Sequence, residues 1–136
     1  MLAPFECLCG NFILPEPASY VFFYAFSNLR NLLYIIPASR PVIAAKRDNM
    51  DEYDTIFVGF PIWWYIAPTI INTFLESYNL KGKTVITFAT SGGSGMGKTN
   101  EKLTPSCPGA KLLHGKVFNS YSSKADLSAW VETLSL

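Results

Sequence analysis

From Val42 onward the apolar residues of this chain alternate between two spacings, one suited to strands and one to helices. Thr55-Ile56-Phe57-Val58-Gly59-Phe60 is a continuous apolar, partly β-branched run closed by Pro61, the pattern of a strand buried on both faces. From Ala67 to Tyr78 the apolar residues fall at 67, 70, 71, 74, 75 and 78. That spacing lines one face of a helix, and Pro68 suits its first turn, where a missing N–H is no loss. Thr69, Asn72, Thr73 and Glu76 then fall on the wet side, and Asn79 to Gly82 ends the helix. Thr84-Val85-Ile86-Thr87-Phe88-Ala89 reads as a second strand, running into the glycine-rich segment Ser91 to Gly97. A short helix stopped by Pro105 follows, and then a third strand, Lys111 to Phe118, weakened by Gly115. Ser123, three residues before Asp126, opens the last helix with a capping signature. Leu127, Trp130, Val131 and Leu134 form its buried stripe.

Strand alternating with helix implies right-handed parallel crossovers and an α/β, doubly wound parallel sheet. Ligands of such sheets sit beyond the carboxyl ends of the strands. Two loops leave those ends, Pro61 to Pro68 and Thr90 to Gly97, and they face one crevice if their strands are neighbours. The 136 residues, 49% hydrophobic and 15% charged, suit one domain with a filled core, 1–136, rather than disorder. Net charge is +1 with no basic stripe, so no nucleic-acid partner is expected. Cys7, Cys9 and Cys107 make an odd count; Cys7-Leu8-Cys9 reads as two reduced thiols of a cytoplasmic protein, a metal edge or redox pair being the lesser reading, and the isolated His114 reads as structural. Between Tyr20 and Ile36 the only formal charge is Arg30. No basic residue precedes this stretch, as a secretory signal would need. It is marginal against the roughly 20 apolar residues of a spanning helix, so a membrane segment is the lesser reading.

The first loop carries three consecutive aromatics, Trp63-Trp64-Tyr65, where turns favour small polar residues. They cannot all enter one core, so at least one ring is left as a flat wall for stacking a planar ligand. The bland alternative packs two rings on the following helix. The second loop, Thr90-Ser91-Gly92-Gly93-Ser94-Gly95-Met96-Gly97, lets bare backbone approach a ligand and present its N–H groups. Gly92 to Thr99 also satisfies the G-x-x-x-x-G-K-[ST] pattern of a nucleotide-binding loop. Only 37 residues follow, without an apolar strand ending in a metal-holding aspartate. Nucleotide hydrolysis is therefore the third reading.

These stretches resemble the short flavodoxins of anaerobic bacteria. The resemblance runs from Ser39 to the end, through Ser39-Arg40-Pro41, Asp48 to Asp54, Gly59 to Trp64, Ala67 to Glu76, Thr90 to Gly95, Pro108-Gly109-Ala110 and Gly115-Lys116. It implies a flavodoxin-like fold with FMN as cofactor. Pro61, Ile62, Trp63, Trp64 and Tyr65 would lie on one side of the flavin, and Thr90, Ser91, Gly92, Gly93, Ser94 and Gly95 on the other. It implies electron transfer or flavin-dependent reduction in the cytoplasm, with a redox partner protein or a small-molecule acceptor. The cofactor carries the chemistry, so no catalytic acid or base is required.

The amino-terminal part departs from the family pattern. Tyr20 to Ser27 resembles the family's first strand and the first serine of its phosphate loop, but Asn28-Leu29-Arg30-Asn31 lacks the loop's glycine and threonine. Leu32 to Pro37 resembles the second strand, with the intervening helix missing. Four residues cannot make a parallel crossover, which needs about a dozen, so these two strands are expected to form a hairpin unless one leaves the sheet. The expected fold is thus an N-terminally incomplete or altered one, with 1–38 atypical and 39–136 the core. Phosphate contacts are worth about 1.5–3 kcal/mol each; losing several weakens FMN by orders of magnitude unless Arg30 substitutes. The alternative is a degenerate relative that binds no FMN and has no redox activity.

Overall fold

The computed structural model describes residues 20–24, 38–43, 46–119 and 121–136. The expectations placed on Asn28–Asn31, Arg30, Leu32–Pro37 and the first two cysteines lie outside these. Four strands form one sheet: β1 (Tyr20–Tyr24), β2 (Thr55–Pro61), β3 (Thr84–Thr90) and β4 (Lys111–Phe118). Their spatial order is the chain order, and every pair is parallel. The helices are α1 (Ile70–Glu76), α2 (Thr99–Leu103) and α3 (Lys124–Thr133), with 3-10 turns at Met50–Glu52 and Thr104–Ser106.

Alternation along the strands divides the core in two. Ile56, Val58 and Phe60 of β2, with Val85 and Ala89 of β3, pack against Ile71, Phe74 and Leu75 of α1 and Leu103 of α2. Phe57, Ile86, Phe88 and Phe118 face the other way, onto Trp130 of α3. Trp130 meets the Phe118 ring edge-on at 5.3 Å and the Phe57 ring at 6.1 Å, arrangements that the ring quadrupoles favour. The sheet is therefore wound on both faces, as expected.

The three strands read from sequence fall where their patterns put them. Helix α1 is shorter than the 67–78 pattern: it starts after Pro68, whose carbonyl accepts the Ile71 N–H at 3.0 Å. Thr69, expected on the wet side, is buried at 3% exposure. Its neighbours Asn72 and Thr73 are half-buried, because the segment after α2 packs over that side of the helix. There Ser106 Oγ donates to Glu76 Oε1 at 2.7 Å and accepts from Asn72 Nδ2 at 2.9 Å. Arg40 completes this surface network, its Nε donating to Glu76 Oε2 at 2.8 Å. Helix α3 opens with a full capping box, Ser123 N donating to Asp126 Oδ2 at 2.7 Å and Asp126 N to Ser123 Oγ at 3.2 Å.

Between β3 and β4 the ladder shifts: Ile86 pairs with Leu113, but Phe88 pairs with Lys116. Two residues of β4, His114 and Gly115, thus oppose Thr87 alone, which is a β-bulge. A Cβ on Gly115 would lie 2.1 Å from the Thr87 carbonyl oxygen, so this close approach requires glycine. The fully buried Thr87 hydroxyl donates to Asn100 Oδ1 at 2.9 Å, and Asn100 Nδ2 donates to the Leu113 carbonyl at 2.8 Å. Gly115 is therefore the residue that lets α2 be tied to the sheet, rather than only a weak point in the strand.

Candidate functional site

Strands β2, β3 and β4 end in line at their carboxyl edge, with Pro61 beside Thr90 and Thr90 beside Phe118. The segments leaving these ends are consequently neighbours. The first begins by extending the ladder, Ile62 N donating to Thr90 O at 2.9 Å. It then folds back on itself: Trp63 N donates to Ile66 O at 2.9 Å and Ile66 N to Trp63 O at 3.1 Å. Such reciprocal bonding about two residues makes a tight hairpin whose central pair adopts positive φ. Here that pair is Trp64 and Tyr65, at φ 49° and 67°. Positive φ costs a non-glycine residue about 1–2 kcal/mol, and strain of this kind collects at functional sites. The turn leaves Trp64 77% and Tyr65 70% exposed, while Trp63, Pro61 and Ile62 are half-buried. The expectation of at least one ring at the surface is thus met by two.

The glycine-rich loop lies directly beside this hairpin. Gly97, at φ +52°, sits so close that an added Cβ would be 3.0 Å from the Tyr65 carbonyl oxygen. The loop is anchored at its far end by Met96, buried in the main core. Within it, Ser91 Oγ accepts the Ser94 N–H at 2.9 Å and the Gly93 N–H at 3.2 Å, and lies 2.8 Å from Ser94 Oγ. These two amides, expected to point at a ligand, are therefore occupied inside the loop. Thr90, Gly92, Gly93 and Gly95 are exposed, and Ser91 and Ser94 are half-buried. A Cβ built on Gly92, Gly93 or Gly95 meets nothing within 4 Å. The result is an open floor of bare backbone beside an aromatic wall, with no formal charge from Pro61 to Pro68 or from Thr90 to Gly97.

All eleven residues singled out from sequence thus come to one edge of the sheet. The nucleotide-loop pattern does not survive the structure: Thr99 is fully buried, so its hydroxyl is not presented to a metal as that motif requires. Among the described residues no cluster of three or more His, Cys, Asp or Glu is placed to hold a metal ion. His114, in the bulge, is exposed, and Cys107 is a buried free thiol whose pKa burial pushes up. No helix among the described residues is long and apolar enough to cross a membrane.

Tyr121, which the sequence reading did not single out, is 91% exposed in the short segment from β4 to α3.

Comparison with known proteins gives a consistent result. A family model described as flavodoxin matches residues 33–134. A candidate flavoprotein from Bacteroides eggerthii, solved as a crystal structure, is 40% identical with a TM-score of 0.67, the match covering 74% of this chain and 63% of that one. One from Bacteroides uniformis is 43% identical with a TM-score of 0.66, covering 71% and 62%. The chain therefore spans less than two thirds of the length of either structure. No curated protein matches it.

Proposed function

The chain belongs to the flavodoxin family, and from that premise we propose that it binds FMN at the carboxyl edge and serves electron transfer or flavin-dependent reduction in the cytoplasm. The observation that carries this reading is the adjacency of the exposed Trp64–Tyr65 hairpin and the open glycine floor, joined through Ile62 N and Thr90 O at 2.9 Å. The residues fit a flavin: the rings offer a flat apolar face for stacking, and the space a Cβ would take on Gly92, Gly93 or Gly95 is open to 4 Å. In this reading Pro61, Ile62, Trp63, Trp64 and Tyr65 line one side, and Thr90, Ser91, Gly92, Gly93, Ser94 and Gly95 the other.

FMN, when bound, supplies the electron-transfer chemistry. The chain's own residues position it and set its surroundings. The rings of Trp64 and Tyr65 exclude water from one face. The N–H groups of Gly92 and Gly95, which engage no acceptor among the described residues, are suited to the negative charge that reduction brings, as oriented amides generally are. No carboxylate opposes that charge within either loop, the first acidic residue after the glycine-rich one being Glu101.

The test is a titration of the purified protein with FMN, followed by flavin absorbance and fluorescence. Quenching with a bound stoichiometry of one is expected, with Trp64→Ala weakening it about tenfold, as the loss of one stacking contact does. A second reading, a family member without flavin or redox activity, is favoured by the occupation of the Gly93 and Ser94 amides by Ser91. A colourless protein that leaves added FMN unchanged would establish it and overturn the first.

A further inference from the structure

Two serines, Ser91 and Ser94, stand three residues apart in the glycine-rich loop, and the hydrogen bonds of their hydroxyls can be counted. A serine hydroxyl has one proton to give and two lone pairs to receive with. Ser91 Oγ receives the Gly93 N–H at 3.2 Å and the Ser94 N–H at 2.9 Å, which fills both lone pairs. Its own proton is therefore the one lying between Ser91 Oγ and Ser94 Oγ, 2.8 Å apart. Ser91 donates and Ser94 accepts. The bonds thus run in one direction, from two peptide N–H groups into Ser91 and from Ser91 into Ser94. Ser94 Oγ ends the series, with a proton that has no acceptor among the described residues.

A series of this kind polarises itself, each bond strengthening the next by about 10–30%. The terminal proton is thereby a better donor than that of an isolated serine. Its setting suits an incoming group. Ser94 is half-buried between Gly93 and Gly95, both exposed, and a Cβ built on either would meet nothing within 4 Å. Met96, buried in the main core, anchors the chain two residues on. The two amides that the loop turns inward are therefore not wasted: their polarity passes to one side-chain oxygen whose proton can rotate to meet a partner.

The geometry points to the Ser94 hydroxyl as the specificity-determining donor of this loop. It selects an acceptor atom on the ligand, a ring carbonyl or a ring nitrogen carrying negative charge, and Ser91 is its positioning residue. The identity of the ligand rests on the flavin reading above; the relay does not. FMN that has taken up two electrons and one proton carries a negative charge on its ring that the oxidised form lacks. A hydrogen bond to a charged acceptor is about twice as strong as one to a neutral acceptor. Ser94 therefore favours the reduced form over the oxidised one.

The experiment has two arms. In the full chain without FMN, amide hydrogen exchange read by NMR is expected to show Gly93 and Ser94 protected relative to Gly92, with the protection lost in Ser91→Ala and kept in Ser94→Ala. Wild-type Gly93 and Ser94 amides that exchange as fast as that of Gly92 overturn the relay. In the second arm FMN is titrated in its oxidised form and, under dithionite, in its reduced form. Ser94→Ala is expected to weaken the oxidised form about threefold and the reduced form about thirtyfold, as losing a bond to a neutral and to a charged acceptor does. Ser94→Thr, which keeps the hydroxyl, stays close to wild type. The tenfold change in the ratio lowers the midpoint potential by about 30 mV for a two-electron couple. Equal losses for both forms, or equal losses in Ser94→Ala and Ser94→Thr, overturn the assignment while leaving FMN binding in place. A wild-type chain that takes up neither form removes the flavin reading, and the role of Ser94 in it, whatever the first arm gives.

Discussion

Adding one methyl group at Gly115 is the most direct test of how α2 and the outer strand are joined. In Gly115→Ala the new Cβ would lie 2.1 Å from the Thr87 carbonyl oxygen and 2.3 Å from its Oγ1, more than an ångström inside ordinary contact. Thr87 is fully buried in β3, between β2 and β4, so its carbonyl cannot retreat without disturbing the ladder to β2. The part that yields is β4. Moving it outward stretches the 2.8 Å bond from Asn100 to the Leu113 carbonyl and strains the Thr87–Asn100 bond. Overpacking costs about 1–3 kcal/mol, and a lost buried hydrogen bond about 1 kcal/mol. A destabilisation of about 2–4 kcal/mol follows. In urea, at a mid-range slope of about 2 kcal/mol per molar, the unfolding midpoint falls by about 1–2 M. Gly92→Ala is the control, since its added Cβ meets nothing within 4 Å and surface changes stay within about 0.5 kcal/mol. A Gly115→Ala midpoint that matches the Gly92→Ala control refutes the reasoning.

Three other outcomes are expected. Gly97→Ala, at positive φ and 3.0 Å from the Tyr65 carbonyl, costs about 1–2 kcal/mol in urea unfolding and weakens FMN by parting the two loops; unchanged FMN affinity argues against their coupling. Removing the cap in Ser123→Ala lowers stability by about 1 kcal/mol, while Ser123→Asn stays within a few tenths; the same denaturation assay reads both. The carboxyl of Glu76 is held below its usual value of 4.5 by the hydrogen bond from Arg40, with burial opposing and Ser106 assisting. A depressed carboxylate contributes stability above its unfolded value and loses it as pH falls through the folded one. Because the Arg40 and Glu76 side chains are 39% and 40% exposed, the loss is under about 1 kcal/mol. Thermal unfolding followed from neutral pH downward shows it in the wild type and not in Glu76→Gln; parallel curves contradict it.

Strands and apolar stripes were legible because burial is written into spacing: period two and continuous runs gave β2, β3 and β4, and the 3.6 period gave the inner face of α1. Asn72 was misplaced because its cover comes from the 102–106 segment, distant in sequence, rather than from the helix itself. The adjacency of the two loops was legible too, since it follows from parallel neighbouring strands. The hairpin turn was not. Tight turns of this kind favour Asn-Gly, and Trp64-Tyr65 adopts the geometry against its own preference, held by the Trp63–Ile66 bonds. Gly115 was read as a weakness of the strand because a one-dimensional pattern shows a missing side chain but not the carbonyl that needs the space. The glycine-rich loop was read as presenting all its amides; Ser91 folds back to take two of them, a local competition that hydroxyl side chains commonly enter.

The bulge has a bearing on how the molecule behaves in company. An outermost strand with regular spacing offers its unpaired backbone as a template for another chain, and proteins blunt that hazard with kinks and charged side chains. The outer strand of the described sheet has both: its spacing breaks at His114–Gly115, and Lys111, His114 and Lys116 are exposed along it. The same irregularity that seats a helix against the sheet also leaves this border ill-matched to a straight incoming strand, so crowding should not readily extend the sheet into fibrils from this side.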